Sequence, residues 1–248
     1  MIFFCFSSKD RHEIVEAMLF HITNYDLPVW YDRHKMLMGD ERDYKNFEEG
    51  VNQSTYAVII LSPNAIKSVC AREEIELIRQ RYVARKITVF PIFYNISASD
   101  IPDEFCWMTK LVYKELTIDN DANSACNHIL CKVLLDELQR YPLKSINAYL
   151  ESYGNRPVYS YITKLILAYC RISDDNKDAQ IAILYAICKY ICEIHQLVGV
   201  PTFYTSGIDR LFDSTRLHLP IDLRESLIME RLTLLLINAS IFGYVIEN

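Results

Sequence analysis

The run "SVCAREEIELI" (68–78) sets three carboxylates, Glu73, Glu74 and Glu76, within four positions. A helix of 3.6 residues per turn sends them to different faces. Cys70, Ile75, Leu77, Ile78 and Tyr82 form its apolar stripe. Glu76 falls among Arg72, Arg79 and Gln80 on a solvated face, and Glu73 is intermediate. Glu74 has Cys70 four residues before it, Leu77 three after and Ile78 four after, so it lies on or beside the buried stripe, close to the helix N-terminus. A carboxylate at the edge of a core is costly unless it is paired or useful. Burial raises its pKa and a helix N-terminus lowers it. Two readings stay open: a group placed for chemistry, or one held by the helix dipole or an arginine.

Other candidate clusters are weaker. Cys188, Cys192 and His195 could share one helical face, but that helix is apolar and no fourth ligand is near, so core residues are expected and no metal site. The eight cysteines have no paired short spacings, and "MIFFCF" lacks the charged start of a signal peptide. Free thiols in a reducing cytoplasm are expected. Neither GxGxxG nor GxxxxGK[ST] occurs, and six glycines in 248 residues argue against a phosphate-cradling loop and a nucleotide sensor. Net charge is −6, of which −5 lies in the first 140 residues (16 Lys+Arg against 21 Asp+Glu). Without a basic face, nucleic acid is not an expected partner. No run reaches the ~20 apolar residues of a membrane span. The longest, "LTLLLINASIFGYVI" (232–246), contains Asn238 and Ser240 and reads as a buried or interface helix.

Placing the glutamates requires strands and helices in alternation, and the first 140 residues supply them. "IFFCF" (2–6), "LPVWY" (27–31), "YAVIIL" (56–61) and "ITVFPIFY" (87–94) read as strands, with "KLVYKEL" (110–116) as a short fifth. Pro91 suggests that the fourth strand ends or bulges there. Helices are expected from Asp10 to about Asn24, up to about Gln53, through 68–82 and over 121–140. "DRHKMLMGDERD" (32–43) has no clean period and contains Gly39, so it reads as a loop. The pattern implies an α/β fold, a parallel sheet with helices on both faces. Ligands of such sheets bind outside the carboxyl ends of the strands, here "FSSKD", "YDRHK", "LSPNA" and "FYN". After "RYPLKS" (140–145) the patterns are helical only, at about 145–153, 157–172, 177–198 and 222–245, punctuated by Gly154, Pro157, Gly199 and Pro201. This gives two domains, 1–140 and an all-α domain over 141–248.

Four segments in order and spacing make residues 1–138 resemble a TIR (Toll/interleukin-1 receptor/resistance protein) domain, which implies a flavodoxin-like parallel five-stranded sheet. "IFFCFSSKD" resembles its opening strand. "LPVWYDRHKMLMGD" resembles its second strand and BB loop, with an acid after the strand and a late glycine. "YAVIILSPNAIKS" resembles the third strand with its "LSPN" turn, and "SVCAREEIEL" the "SxWCxxE" helix. In enzymatic members the catalytic glutamate lies six residues after that serine and precedes an apolar residue. Ser68 plus six is Glu74, followed by Ile75; Glu73 is the alternative if the register slips by one. Cys70 stands at the motif's tryptophan position, where an aromatic can stack on the nucleotide. Cys70 cannot stack, which leaves two alternatives: Phe93 or Tyr94 compensates, or the ligand sits differently.

The resemblance implies cleavage of the nicotinamide–ribose bond of NAD+, which is substrate and not cofactor. Glu74 would stabilise the oxocarbenium-like transition state and hold the ribose hydroxyls. Ser7, Ser8, Gly39, Cys70 and Phe93 are the expected substrate contacts. Asp32, Asp40 and Glu41 flank the same mouth and are expected to shape the loop or pair with a neighbouring subunit. Attack by water gives ADP-ribose; intramolecular attack by the adenine gives a cyclic isomer. The resemblance also implies bacterial antiphage defence, self-association through the BB loop under control of the helical domain, and a downstream protein that senses the product. The alternative is a non-enzymatic scaffold acting by TIR–TIR association, since fold does not fix function.

Overall fold

The structure is a computed structural model, and it describes residues 1–119, 122–141, 143–153, 160–194, 202–216 and 223–242. The chain divides into two compact units, Met1–Ile129 and Leu130–Asn248.

The first unit is built on five parallel strands: β1 (Ile2–Cys5), β2 (Val29–Trp30), β3 (Tyr56–Leu61), β4 (Thr88–Tyr94) and β5 (Lys114–Leu116). Their order is β2-β1-β3-β4-β5, the flavodoxin-like arrangement that the resemblance implies. The chain reverses direction of growth between β1 and β3, so their carboxyl ends flank the crevice where such sheets bind ligands. All residues of β1 and β3 are buried, which is why both read as continuous apolar runs without alternation.

β4 runs straight through Pro91, correcting the expected break. Ile59↔Pro91 is one of six registered pairs with β3, while pairing to β5 starts only at Ile92. No β5 partner is registered to Pro91 or the residues before it.

One face of the sheet packs Phe3, Cys5, Ala57, Ile59, Leu61, Val89 and Phe93 with Ile75 and Ile78 of α4 (Val69–Val83). A helical segment leads from Ser8 through a 3₁₀ turn and a π turn into α1 (Glu16–Thr23). The 32–43 segment is not wholly loop, because Asp32–Lys35 forms one helical turn, α2. A π-helical segment, Tyr44–Val51, follows, then the short α3 (Pro63–Lys67) after β3. α5 (Asn123–Leu138) spans the point where the units divide.

The second unit is all helical among its described residues: α6 (Ala148–Tyr153), α7 (Ser160–Tyr169), α8 (Lys177–Ile194), α9 (Thr202–Arg216) and α10 (Leu223–Phe242). Ile162, Ile166, Ile181, Leu184, Ile187, Ile208, Leu211, Ile228 and Leu232 share its core. α9 is absent from the sequence reading. Gly207 and the Thr, Ser and Asp residues around it lower its helix propensity and apolar content, and among its described side chains Ile208 and Leu211 join the core with Phe212 packed against it. Cys188 is a core residue bonded to Thr233, as expected, and Cys192 is exposed. His195 lies outside the described residues. Among the described residues no group of ligating side chains could hold a metal, and no helix is long and apolar enough to cross a membrane.

Candidate active site at the carboxyl ends of the strands

Two local devices set the site's frame. Asp10, fully buried after β1, accepts hydrogen bonds from Ser62 Oγ (2.5 Å) and Asn64 Nδ2 (2.6 Å) after β3. Ser62 Oγ in turn accepts from the backbone N–H groups of Asn64 and Ala65, capping α3. The "SSKD" and "LSPN" segments thus hold each other across the crevice. Ser68 then ends α3 and starts α4: its extended backbone (ψ 118°) breaks the helix, and its hydroxyl accepts from Ala71 N–H.

That capping fixes the rotation of α4 and so the fate of its three glutamates. Glu76 is exposed beside Arg79 and Gln80. Glu73 is half-exposed and accepts from Arg42 Nη2 at 3.1 Å. Glu74 is 8% exposed, as the helical wheel requires. Its Oε1 accepts a 2.8 Å hydrogen bond from Asn46 Nδ2 of the Tyr44–Val51 segment. Beneath it lies the Cys5 thiol, whose pKa is pushed well above normal by burial and then by Glu74. Desolvation raises Glu74's pKa to about 8. The Cys5 hydrogen bond works downward, Asp32's charge upward, Arg42's downward and Glu73's upward. Of the two influences expected on this carboxyl, burial wins over everything that favours charge, because among the described residues no cation pairs with it and it sits a full turn past the helix start.

Glu74 lines a cleft of about 200 Å³ with Phe4, Phe6, Ser8, Arg11, Trp30, Asp32, Met36, Arg42, Asn46, Ser68 and Cys70. Arg11 forms a two-bond pair with Asp32 (2.7 and 2.6 Å), donates to Tyr31 Oη (2.7 Å), and lies over the rings of Phe6 (5.0 Å) and Tyr31 (5.2 Å). Its pKa is raised, first by the Asp32 bond. Arg42 reaches Cys70 Sγ, Asp43 (2.7 Å) and Glu73. Larger hollows lie at the amino ends of β3 and β4 (about 430 Å³, by Tyr82, Arg85 and Lys86) and beside α1 (about 550 Å³, by Phe20 and His34). Neither is lined by a buried charged side chain, so chemistry selects the smaller cleft.

The cleft brings together three of the expected residues, Glu74, Ser8 and Cys70, and leaves three out. Ser7 is buried and accepts from Lys9 N–H, capping the 3₁₀ turn. Gly39 has φ +102° with nothing within 4 Å, so it serves the loop's turn, a conformation L side chains rarely adopt. Phe93 is fully buried under the sheet against Tyr113 (4.7 Å). Tyr94 is also buried and donates to Glu13 (3.0 Å). Neither can replace the missing tryptophan, because successive strand residues point into the two cores and not out of the strand end. The aromatic that does reach the cleft partly exposed is Phe6, the first residue after β1. Asp32 pairs within the chain, and Asp40 accepts from Leu37 N–H (2.8 Å), shaping its loop. Arg11, Asn46, Phe6 and Trp30 were not expected. For Phe6 the signal was its place at a strand's carboxyl end; for Asn46 there was none, since its partner is 28 residues away.

The family model described as "TIR domain" matches residues 2–130, and the chain belongs to this family. Among curated relatives it is 24% identical over 99 residues to "2' cyclic ADP-D-ribose synthase BtTIR" of Bacteroides thetaiotaomicron, covering 40% of this chain and 34% of that protein. It is 22% identical over 100 residues to "NAD(+) hydrolase TcpA" of a Theionarchaea archaeon, covering 40% and 30%. With "2' cyclic ADP-D-ribose synthase AbTIR" of Acinetobacter baumannii it shares 24% over 102 residues, covering 41% and 38%. The chain thus spans about a third of the length of these relatives. A solved structure, the TIR domain of the Toll-related receptor TRR-2 from Hydra magnipapillata, aligns with a TM-score of 0.42 at 13% identity, over 53% of this chain and 94% of that one.

Proposed function

We propose that this chain cleaves the nicotinamide–ribose bond of NAD+, with Glu74 as the catalytic carboxylate. The observation that carries the reading is Glu74 itself: a desolvated carboxyl, tied to Asn46, at the carboxyl-end crevice of a TIR sheet. The relatives' names, NAD(+) hydrolase and cyclic ADP-ribose synthase, support the same chemistry.

In this mechanism the C1′–N bond breaks and its electron pair leaves with neutral nicotinamide. Positive charge appears on the ribose, and ionised Glu74 stabilises it in a low-dielectric site, where such an interaction is worth most. The cationic nicotinium of the substrate favours the ionised form against desolvation. Water then adds at C1′ and loses a proton, giving ADP-ribose; attack by the adenine of the same molecule gives a cyclic isomer. The product acts either as a signal to a second protein in antiphage defence or as the residue of NAD+ depletion.

A scaffold reading is favoured by Leu37 and Met38, which stand exposed on the loop before Asp40. The two separate in one experiment: wild type and Glu74→Gln are incubated with NAD+ over a series of protein concentrations, and products are resolved by chromatography and mass. Nicotinamide release by wild type alone supports the enzyme. No release at any concentration, with association intact in both proteins, supports the scaffold.

A further inference from the structure

Asn46 has one half of its amide accounted for and one half not. Its Nδ2 donates to Glu74 Oε1 at 2.8 Å. Its Oδ1 is buried and accepts no hydrogen bond among the described residues, and Asn46 as a whole is 7% exposed in the wall of the cleft. Buried acceptors in folded proteins are almost always paired, and an unpaired one marks strain, catalysis or a ligand. Rotating the amide would not cure it. With the oxygen turned toward a protonated Glu74 the N–H₂ would be the unpaired end, and against the ionised Glu74 that the reaction uses, which only accepts, the N–H end must face it and the oxygen is left for another donor.

We infer that Asn46 is a substrate-binding residue: Oδ1 accepts a hydrogen bond from a hydroxyl of the nicotinamide-side ribose while Nδ2 holds Glu74. This rests on the NAD+-cleaving reading above. The donor that meets Oδ1 must lie within one amide's width of the Glu74 carboxylate. The ribose diol beside C1′ offers neutral O–H donors at that distance from the reacting carbon. Phosphates and the nicotinium ring nitrogen offer none. The nicotinamide carboxamide N–H₂ is the competing donor, and the test separates it. One side chain would then orient the carboxylate and register the sugar against it, which is how a near-attack geometry is held.

The test is a cycle on the full chain. Wild type and Asn46→Leu, with Asn46→Ala in reserve should the first not fold, are assayed for kcat/KM. The substrates are NAD+, its analogues lacking the 2′- or 3′-hydroxyl on that ribose, and the 3-acetylpyridine analogue, which lacks the carboxamide N–H₂. Because the two proteins are compared on each substrate, differences in the analogues' intrinsic lability cancel. We expect Asn46→Leu to lose about ten- to a hundredfold on NAD+, and the wild-type-to-variant ratio to fall about tenfold on one of the deoxy analogues, the remainder being the loss of Glu74's orientation, which is common to every substrate. The acetylpyridine analogue should show the same loss as NAD+. A wild-type-to-variant ratio equal on NAD+ and both deoxy analogues overturns the contact, as does a ratio that collapses only on acetylpyridine. If wild type does not cleave NAD+, the activity reading fails, and binding decides the contact separately. Calorimetry with the NAD+ analogue whose ribose ring oxygen is replaced by methylene should then show about tenfold weaker binding to Asn46→Leu. Equal affinity, or no binding to wild type, overturns it.

Discussion

The two units bury polar groups in opposite ways. In the helical unit, Thr233 Oγ1 donates to Met229 O (2.8 Å) and Ser240 Oγ to Ile237 O (2.8 Å), so each hydroxyl is satisfied within its own turn. Tyr153 and Cys188 add contacts from neighbouring helices. In the α/β unit, the buried carboxylates Asp10 and Glu74 are held by side chains 28 to 54 residues away, all neutral. Among the described residues these are the buried carboxylates of the whole chain. Local satisfaction costs little and carries no chemistry. A carboxylate desolvated without a cation is costly, and among the described residues only the α/β unit bears that cost, at the carboxyl ends of its strands.

The largest test of that contrast is Glu74→Gln, which should lower NAD+ cleavage by about a thousandfold or more while the far-ultraviolet circular dichroism is unchanged. Equal turnover by both proteins would move the role to Glu73 and remove the significance of burial.

Next in size is the pH profile. Because burial raises Glu74's pKa to about 8, the unliganded protein holds the ionised form only above that value. kcat/KM for NAD+ should therefore fall about tenfold per pH unit below it. The stability consequence has the opposite sense. A carboxyl whose folded pKa is raised contributes stability that is full below its ordinary value near 4.5 and lost as pH rises through about 8. The melting temperature of Glu74→Gln should accordingly exceed wild type's by about 4 °C or more at pH 9, with the gap closing at pH 5. A constant gap would mean that Glu74 ionises freely.

Asp10→Ala should cost about 3 kcal/mol in denaturant unfolding, since it leaves Ser62 and Asn64 without their acceptor at the junction of β1 and β3. A loss under about 1 kcal/mol would mean that the two strand ends are fixed without it.

The smallest effects come from two glycines, one in each unit, and they should have opposite signs. A methyl at Gly50 would meet Phe3 Cε2 at 2.7 Å and Trp30 Cε2 at 3.1 Å, both in the packed core beside the cleft. Gly50→Ala should destabilise by about 1–3 kcal/mol. At Gly207, in α9, the nearest atom is Leu232 Cδ1 at 3.6 Å, an ordinary contact. Gly207→Ala should stabilise by about 0.5–1 kcal/mol, read as a shift in unfolding midpoint, because it removes backbone freedom from a helix interior. Destabilisation there would show that α9 has no room for a methyl.

The sequence by itself determined whatever depends on neighbours along the chain. The burial of Glu74 and the exposure of Glu76 follow from a 3.6-residue period, and the strand runs and their parallel order follow from alternation with helices. α9 was missed because Gly207 and the Thr, Ser and Asp residues around it are weak helix formers, which hides the face that Ile208 and Leu211 share. The tertiary structure alone decided the cleft's composition. Phe93 and Tyr94 lie on strand β4, where apolar residues on both faces hide which way each side chain points. Asn46, Arg11 and Asp32 meet at the site only because the sheet stacks the carboxyl ends of β1 and β2 beside the start of α4. Glu74's pKa was decided there too, since desolvation is a property of everything packed around a group and not of the residues beside it in sequence.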